Sequence, residues 1–247
     1  MQSRQTKGLL VQELLEKTHP QWHDVLEKAL NSMDEQYVIQ LKGDRNWLPG
    51  WELMLAAFSQ PLLHTRYLLL GESPYPRRQS ANGYAFWDNA VASLWSDKGL
   101  SKEVNRATSL RNMMKMLLVA RGDLGEDHSQ AAIARLDKSH YWRTASELFH
   151  GMIRKGFILL NASLVYSDNR VPYHARQWQP FISSLFNQLA LRDHKVTLLL
   201  FGKIAARVQN SNRFPCLIAE HPYNLSFISN KDVLAFFKPL DLLSCHE

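Results

Sequence analysis

Four short apolar runs constrain most strongly what this chain can fold into. They span residues 67–70, 157–161, 196–201 and 217–220. Runs of this length are typical of strands buried on both faces of a parallel sheet. Three of them lead into polar residues: Gly71-Glu72-Ser73-Pro74-Tyr75-Pro76, Asn161 and Glu220-His221-Pro222-Tyr223-Asn224-Leu225-Ser226. Because ligands of open α/β sheets bind outside the carboxyl ends of the strands, we predict one shared site there.

Segments between these runs have helix-like spacing of apolar residues. Alternating strands and helices predict an α/β fold, a three-layer α/β/α sandwich with a central four-stranded parallel sheet. We expect a single domain over residues 1–247, in which residues 1–50 form a helical N-terminal extension that packs on one side. Helices are predicted within 8–60 (the last over 51–58) and at 109–121, 144–154, 179–191, 203–209 and 230–238, with a loop and short helix in 122–140 and irregular structure over 166–178.

Composition narrows the class of protein. With 45% hydrophobic residues the chain can bury a full core, and its two cysteines are too few for a disulfide scaffold. We find no signal peptide and no stretch of about 20 apolar residues, so we expect a cytoplasmic protein without a membrane partner. The net charge of +6 suits a polyanion, although many proteins carry such a charge by chance.

The polar motifs, taken in order, resemble those of the uracil-DNA glycosylase superfamily, and most of all its family 1. That family has Gly-Gln-Asp-Pro-Tyr-His where this chain has residues 71–76. It has Leu-Leu-Asn at 159–161 and His-Pro-Ser-Pro-Leu-Ser at 221–226. Weaker matches in the same order lie at 83–86, 109–112, 174–175 and 199–202. The resemblance implies a monomeric DNA glycosylase of base excision repair that needs no metal and no organic cofactor.

The same resemblance implies a pocket for a flipped base. Asn161 would read uracil, because its amide offers both a donor and an acceptor. Phe86 would stack on the base, and Tyr75 would exclude the methyl group of thymine. Taken singly, these residues have ordinary explanations: an Asn that ends a strand at a turn, a core Phe, and a Pro-Tyr-Pro turn.

His221 would donate a hydrogen bond to the charge that develops on uracil O2. A lone His-Pro, however, is usually only a turn. By resemblance, Leu225 would be the wedge that fills the hole left by the flipped base, and Ser109 and Ser226 would bind backbone phosphates. Arg77 and Lys203, each close after a strand-like run, are the candidate basic contacts to DNA.

The chain departs from family 1 at the catalytic position. Ser73 stands where that family has the aspartate that positions water and stabilises the sugar cation. Glu72 replaces a Gln, which gives a Gly-Glu-small-Pro motif like that of the family 4 enzymes, whose iron–sulphur cluster this chain lacks the cysteines to hold. We therefore assign a catalytic role to His221, Ser73 and Glu72 together. Tyr223-Asn224 also replaces Ser-Pro.

Three functions remain open from the sequence. The first is a glycosylase for uracil or a related damaged or modified base, with activity reduced by Ser73. The second is a relative that binds DNA without cutting it. The third is an unrelated α/β enzyme; no phosphate-binding Gly-rich loop, Gly-x-Ser-x-Gly elbow or metal-ligand spacing supports it.

Overall fold

A four-stranded parallel sheet forms the centre of the protein, in a computed structural model that describes residues 2–208 and 211–245. The strands of the protein are β1 (Tyr67–Gly71), β2 (Trp95–Ser96), β3 (Gly99–Leu100), β4 (Phe157–Asn161), β5 (Thr197–Phe201) and β6 (Cys216–Ala219). The order in the sheet is β4-β1-β5-β6, and a two-stranded hairpin of β2 and β3 stands apart from it. The four sheet strands predicted from the sequence are confirmed to within one residue at each end.

Helices cover both faces of this sheet, so the α/β/α sandwich is confirmed. They are α1 (Gln2–Leu15), α2 (His23–Asn31), α3 (Glu35–Gly43), α4 (Lys102–Arg106), α5 (Thr108–Arg121), α6 (Gln130–Ala134), α7 (Ala145–Arg154), α8 (Val171–Ala190) and α9 (Lys231–Phe237). None of the helices in the described part of the chain has the length and apolar character needed to cross a bilayer.

Alternation along the strands divides the core into two halves. In β1, Leu68 and Leu70 face a core built with α1, α2, α3 and α8, whereas Leu69 faces a core built with α5, α7 and α9. All three leucines are fully buried. Strands buried on both faces explain why the runs are apolar throughout and do not alternate with polar residues.

The N-terminal helices form part of the first of these two cores. Trp22, at the start of α2, is fully buried and packs edge-to-face against Phe58, with ring centroids 5.1 Å apart. Its indole N–H donates to the carbonyl of Gln60 at 2.9 Å. Buried residues of α1, α2 and α3 thus pack on one side of the sheet.

Three predicted elements were wrong. The helix expected over 51–58 is a series of turns that ends in a 3₁₀ turn, Ala56–Phe58. The helix expected over 203–209 is also 3₁₀, Gly202–Arg207. Residues 171–178, expected to be irregular, begin the long helix α8, which contains Pro180. One face of α8 buries Trp178 and Phe181, and this burial outweighs the hydrogen bond that Pro180 cannot make.

Candidate active site

The carboxyl ends of β1 and β4 lie side by side, because Gly71 pairs with Asn161 in the sheet register. The loops that follow are joined as well. The N–H of Ala162 donates to the backbone carbonyl of Gly71 at 2.8 Å, and that of Ser163 donates to the backbone carbonyl of Glu72 at 3.0 Å. These bonds hold the Gly71–Pro76 loop against the end of β4.

Asn161 is 3% exposed and lies directly against Gly71. A Cβ atom at residue 71 would lie 2.6 Å from Asn161 Oδ1 and 2.9 Å from the Cβ of Ala85. Only a glycine leaves room for the amide at this point. The buried Asn161 amide thus packs directly against the backbone of Gly71.

Phe86 is held at the end of the sheet because its neighbour in sequence, Ala85, forms a hydrogen bond with β4. The N–H of Ala85 donates to the carbonyl of Leu159 at 3.0 Å. Phe86 itself has φ of +63°, a strained conformation for a bulky residue. Its ring is stacked on that of His221, with centroids 5.9 Å apart and planes 25° apart.

Tyr75, in the loop that follows β1, also contacts Phe86. Its hydroxyl donates to the carbonyl of Phe86 at 3.3 Å. Burial, reinforced by the nearby charge of Asp88, raises the pKa of Tyr75 far above its usual value. The phenol therefore remains a neutral donor at physiological pH.

His221 follows β6 and is fixed in one tautomer. The N–H of Tyr223 donates to His221 Nδ1 at 3.1 Å, so the imidazole proton is on Nε2. Burial lowers the pKa of His221, and the carboxylate of Glu72 opposes this shift only in part. The imidazole is therefore neutral at pH 7, with its N–H at Nε2.

Gly202 allows the close approach of this histidine to the end of β5. Its φ is +75°, and a Cβ there would lie 2.8 Å from the Cβ of His221. Any side chain at residue 202 would displace the imidazole.

The loop after β6 is held from the other side by Asn112 of α5. This fully buried amide donates from Nδ2 to the carbonyl of Pro222 at 2.7 Å, and the carbonyls of Tyr223 and Asn224 lie 3.4 and 3.5 Å away. The sequence analysis gave Asn112 no role in the site, although this residue lies in the matched segment 109–112.

A cleft of about 590 Å³ opens beside His221. Glu72 lines it, and its Oε1 lies 3.6 Å from Nη1 of Arg207, an ion pair between exposed groups. Ser73 is half-buried and is not among the described residues that line this cleft. The residues lining the cleft are Glu72, Gly202, Lys203, Glu220, His221, Tyr223 and Asn224.

The five predicted DNA contacts are spread around this region. Lys203 lines the cleft, and Leu225 is exposed on the loop after β6. Ser109 is half-buried in the first turn of α5. Arg77 lies outside the cleft and forms an ion pair with the buried Asp88 at 3.2 Å.

Ser226 is exposed on the same loop, beside Glu220. Burial raises the pKa of Glu220, but hydrogen bonds from its own backbone, Ser226 and Asn230 outweigh it and leave the pKa below its usual value. The carboxylate of Glu220 accepts from Asn230 Nδ2 at 2.9 Å. No local sequence pattern indicates the ion pair between Arg207 and Glu72 or the one between Arg77 and Asp88.

Comparisons with known proteins identify the family. The wild-type UNG of Nitratifractor salsuginis, known from a crystal structure, is 40% identical, with a TM-score of 0.90 over 94% of this chain and 96% of that one. The chain belongs to the uracil-DNA glycosylase superfamily. The uracil-DNA glycosylase of Fusobacterium nucleatum is 25% identical over 224 residues, 86% of this chain and 84% of the relative.

The mimivirus uracil-DNA glycosylase shares the fold at 18% identity, with a TM-score of 0.55 over 85% of this chain and 71% of that one. No protein-family model matches the chain. The superfamily resemblance expected from the motifs is confirmed, with the match to the Nitratifractor enzyme covering 94% of this chain. Among the residues described, no group of three or more His, Cys, Asp or Glu side chains is placed to hold a metal ion.

Proposed function

We propose that the protein is a DNA glycosylase that flips uracil or a related damaged or modified base out of DNA and hydrolyses its N-glycosidic bond in base excision repair. One observation carries this proposal. The buried amide of Asn161 and a neutral His221 with its proton on Nε2 are linked through Gly71, Ala85 and Phe86. The first can read a base edge, and the second can stabilise the base as it leaves.

The pocket residues fit the recognition of uracil. The Asn161 amide would accept from N3–H and donate to O4, as a pyrimidine with both groups requires. Phe86 would stack on the base. Tyr75, whose hydroxyl is tied to the Phe86 carbonyl, would leave no space for a 5-methyl group.

His221 would assist departure of the base. As the bond from C1′ to N1 breaks, its electron pair passes to the uracil ring and charge develops on O2. The Nε2–H of a neutral imidazole, fixed before the reaction, can donate a hydrogen bond to that oxygen. Water then adds to the sugar cation at C1′ and loses a proton.

Glu72 is the carboxylate that we assign to the cation and the water, because Ser73 has no charge to offer. Its ion pair with Arg207 joins two exposed groups, and such pairs contribute about 0–1 kcal/mol. Breaking this ion pair, so that Glu72 can face the sugar cation or the water, would therefore cost little free energy. We assign Ser73 a secondary role as a neutral donor or acceptor near the sugar.

DNA would be held by Lys203, Ser109, Leu225, Ser226 and Arg77. Ser226 is exposed and the Arg77 side chain is 60% exposed, so both can reach a phosphate. Arg77 can contact a phosphate with the guanidinium N–H groups that Asp88 does not use, and so keep its ion pair with this buried carboxylate.

A second function, DNA binding without base release, is favoured by the same replacement of an aspartate by Ser73. In that case the Glu72 carboxylate would remain paired with Arg207. The protein would then bind DNA in a salt-sensitive way and leave the glycosidic bond intact.

A single-turnover assay tests the two functions. Protein in excess is incubated with single- and double-stranded oligonucleotides that carry uracil, hypoxanthine, xanthine or 5-hydroxymethyluracil, and alkali reveals abasic sites. We expect cleavage at uracil that is lost in His221→Ala and Asn161→Ala and strongly slowed in Glu72→Gln. Full activity of both His221→Ala and Asn161→Ala would refute the site. Binding without cleavage of any substrate would favour the second function.

A further inference from the structure

Tyr223 has a large aromatic side chain that the protein itself does not cover. Its residue is 67% exposed, and Leu225, two positions later on the same loop, is 70% exposed. In family 1 a small serine stands at this position of the loop, so the exposed ring is a property of this chain.

The backbone beneath the ring is well fixed. The N–H of Tyr223 donates to His221 Nδ1 at 3.1 Å, and its carbonyl lies 3.4 Å from Asn112 Nδ2. A ring with only two side-chain torsions on a fixed backbone loses little conformational entropy when a ligand covers it. The Tyr223 ring is therefore preorganised to bind a ligand.

The surroundings of the ring indicate the kind of ligand. Tyr223 lines the same cleft as His221 and the exposed cation Lys203. Of the two carboxylates in this cleft, Glu72 is paired with Arg207 and Glu220 accepts from Asn230. Aromatic rings beside cations are the combination with which proteins hold single-stranded nucleic acid, because the cations contact the phosphates and bases stack on the rings.

We propose that the Tyr223 ring stacks on a nucleobase next to the flipped nucleotide, and that this contact gives the site a preference for single-stranded DNA. The inference rests on the proposed function, since it needs DNA in the cleft. In a duplex the neighbouring bases already cover one another's faces, whereas in a single strand those faces are free. The ring therefore gains a partner mainly in a single strand.

Leu225 provides the matched comparison. As a wedge it would fill the gap left in a base stack, and a gap of that kind exists mainly in a duplex. The two exposed side chains should thus serve different substrates, Tyr223 the single strand and Leu225 the duplex.

The test measures binding separately from chemistry. The probe is an oligonucleotide with one 2′-fluoro-2′-deoxyuridine, whose fluorine disfavours the sugar cation and prevents cleavage, followed by fluorescence anisotropy as a single strand and as a duplex. The variants are Tyr223→Phe, Tyr223→Leu, Tyr223→Ala and Leu225→Ala. All of them keep the backbone N–H that fixes His221, and circular dichroism checks their fold.

We expect Tyr223→Phe to bind like the wild type. Tyr223→Leu and Tyr223→Ala should lose about 5- to 150-fold in affinity for the single strand, the equivalent of 1–3 kcal/mol for one stacked base, and much less for the duplex. Leu225→Ala should show the opposite pattern. A 2-aminopurine next to the fluorinated nucleotide should change its fluorescence on binding to the wild type and Tyr223→Phe, but not to Tyr223→Ala.

Single-strand binding that is unchanged in Tyr223→Ala would overturn the inference, and so would an equal loss on both substrates. Either result would leave the proposed function standing if the wild type excises uracil. Absence of cleavage by the wild type, with the Tyr223 pattern intact, would instead overturn the glycosylase proposal and retain the stacking contact.

Discussion

At the scale of single residues, Gly71 is where one added carbon atom should act most directly on the site. Gly71→Ala would bring a Cβ to 2.6 Å from Asn161 Oδ1, so the amide must move. Overpacking of this kind costs about 1–3 kcal/mol. We expect kcat/KM for uracil to fall by about tenfold or more, with a lower Tm.

Gly125→Ala is the control for this prediction, since a Cβ at Gly125 meets nothing within 4 Å. Steady-state kinetics and thermal melts of both variants decide the matter. Equal activity of the two alanine variants would mean that Asn161 does not read the base from the position described here.

His221 gives a prediction about pH. Burial lowers its pKa, and Glu72 raises it in part, so Glu72→Gln should lower the pKa further. Protonation of Nδ1 would also place a second N–H donor opposite the N–H of Tyr223, and the hydrogen bond between them would be lost. Because the pKa in the folded state lies below that of the unfolded chain, His221 weakens stability as pH falls below about 6.5.

Titration of the imidazole by NMR measures this shift without any assay of activity. Glu126→Gln serves as the control, because Glu126 is exposed on a loop outside the cleft and its substitution removes an equal charge. A His221 pKa that moves upward in Glu72→Gln, or equally in both variants, would contradict the electrostatic effect of Glu72 on His221.

At the scale of secondary-structure elements, Asn112 connects α5 to the loop that carries His221. Asn112→Ala removes a buried donor from the Pro222 carbonyl, which should cost about 1–3 kcal/mol of stability. Asn112→Asp should be worse at pH 7, because a carboxylate would face the carbonyls of the loop. Thermal melts give the order of stability, and single-turnover rates should fall in the same order. An aspartate variant as stable as the wild type would be inconsistent with this geometry.

His174 connects α8 to α3 in a similar way. Its ring nitrogens contact the hydroxyls of Tyr37 at 2.7 Å and Ser167 at 2.8 Å, and burial lowers its pKa to about 4. Since the unfolded chain binds the proton more readily, the protein should lose stability between about pH 6.5 and pH 4. His174→Gln should show a weaker dependence of Tm on pH in that window, whereas an unchanged slope would assign the acid sensitivity to other groups.

The elements also explain how far sequence reasoning could reach. β1 and β4 were predicted correctly because strands buried on both faces are uniformly apolar, and their ends located Gly71 and Asn161. The first part of α8 was misjudged because residues 166–178 are rich in polar and aromatic groups, a composition that is also typical of irregular structure. Contacts such as Asn112 with Pro222 join residues 110 positions apart, and a single sequence has no pattern that encodes such a distance.

At the scale of the whole molecule, the N-terminal helices and the central sheet share one core. Val11, Trp22 and Leu26 of the N-terminal region lie in the same buried cluster as Leu68 and Leu70 of β1. The prediction of a single domain over residues 1–247 therefore has a physical consequence. The N-terminal helices should unfold together with the sheet and not before it.

Trp22→Ala tests that coupling. Loss of a fully buried Trp should cost about 3–5 kcal/mol, whereas Leu9→Ala, at a residue 70% exposed on α1, should cost almost nothing. If the core is shared, denaturation of Trp22→Ala stays one transition by both circular dichroism and fluorescence, and uracil excision disappears along the same curve. Two separate transitions, with excision surviving the first, would show instead that residues 1–50 are an independent extension of a glycosylase that does not need them.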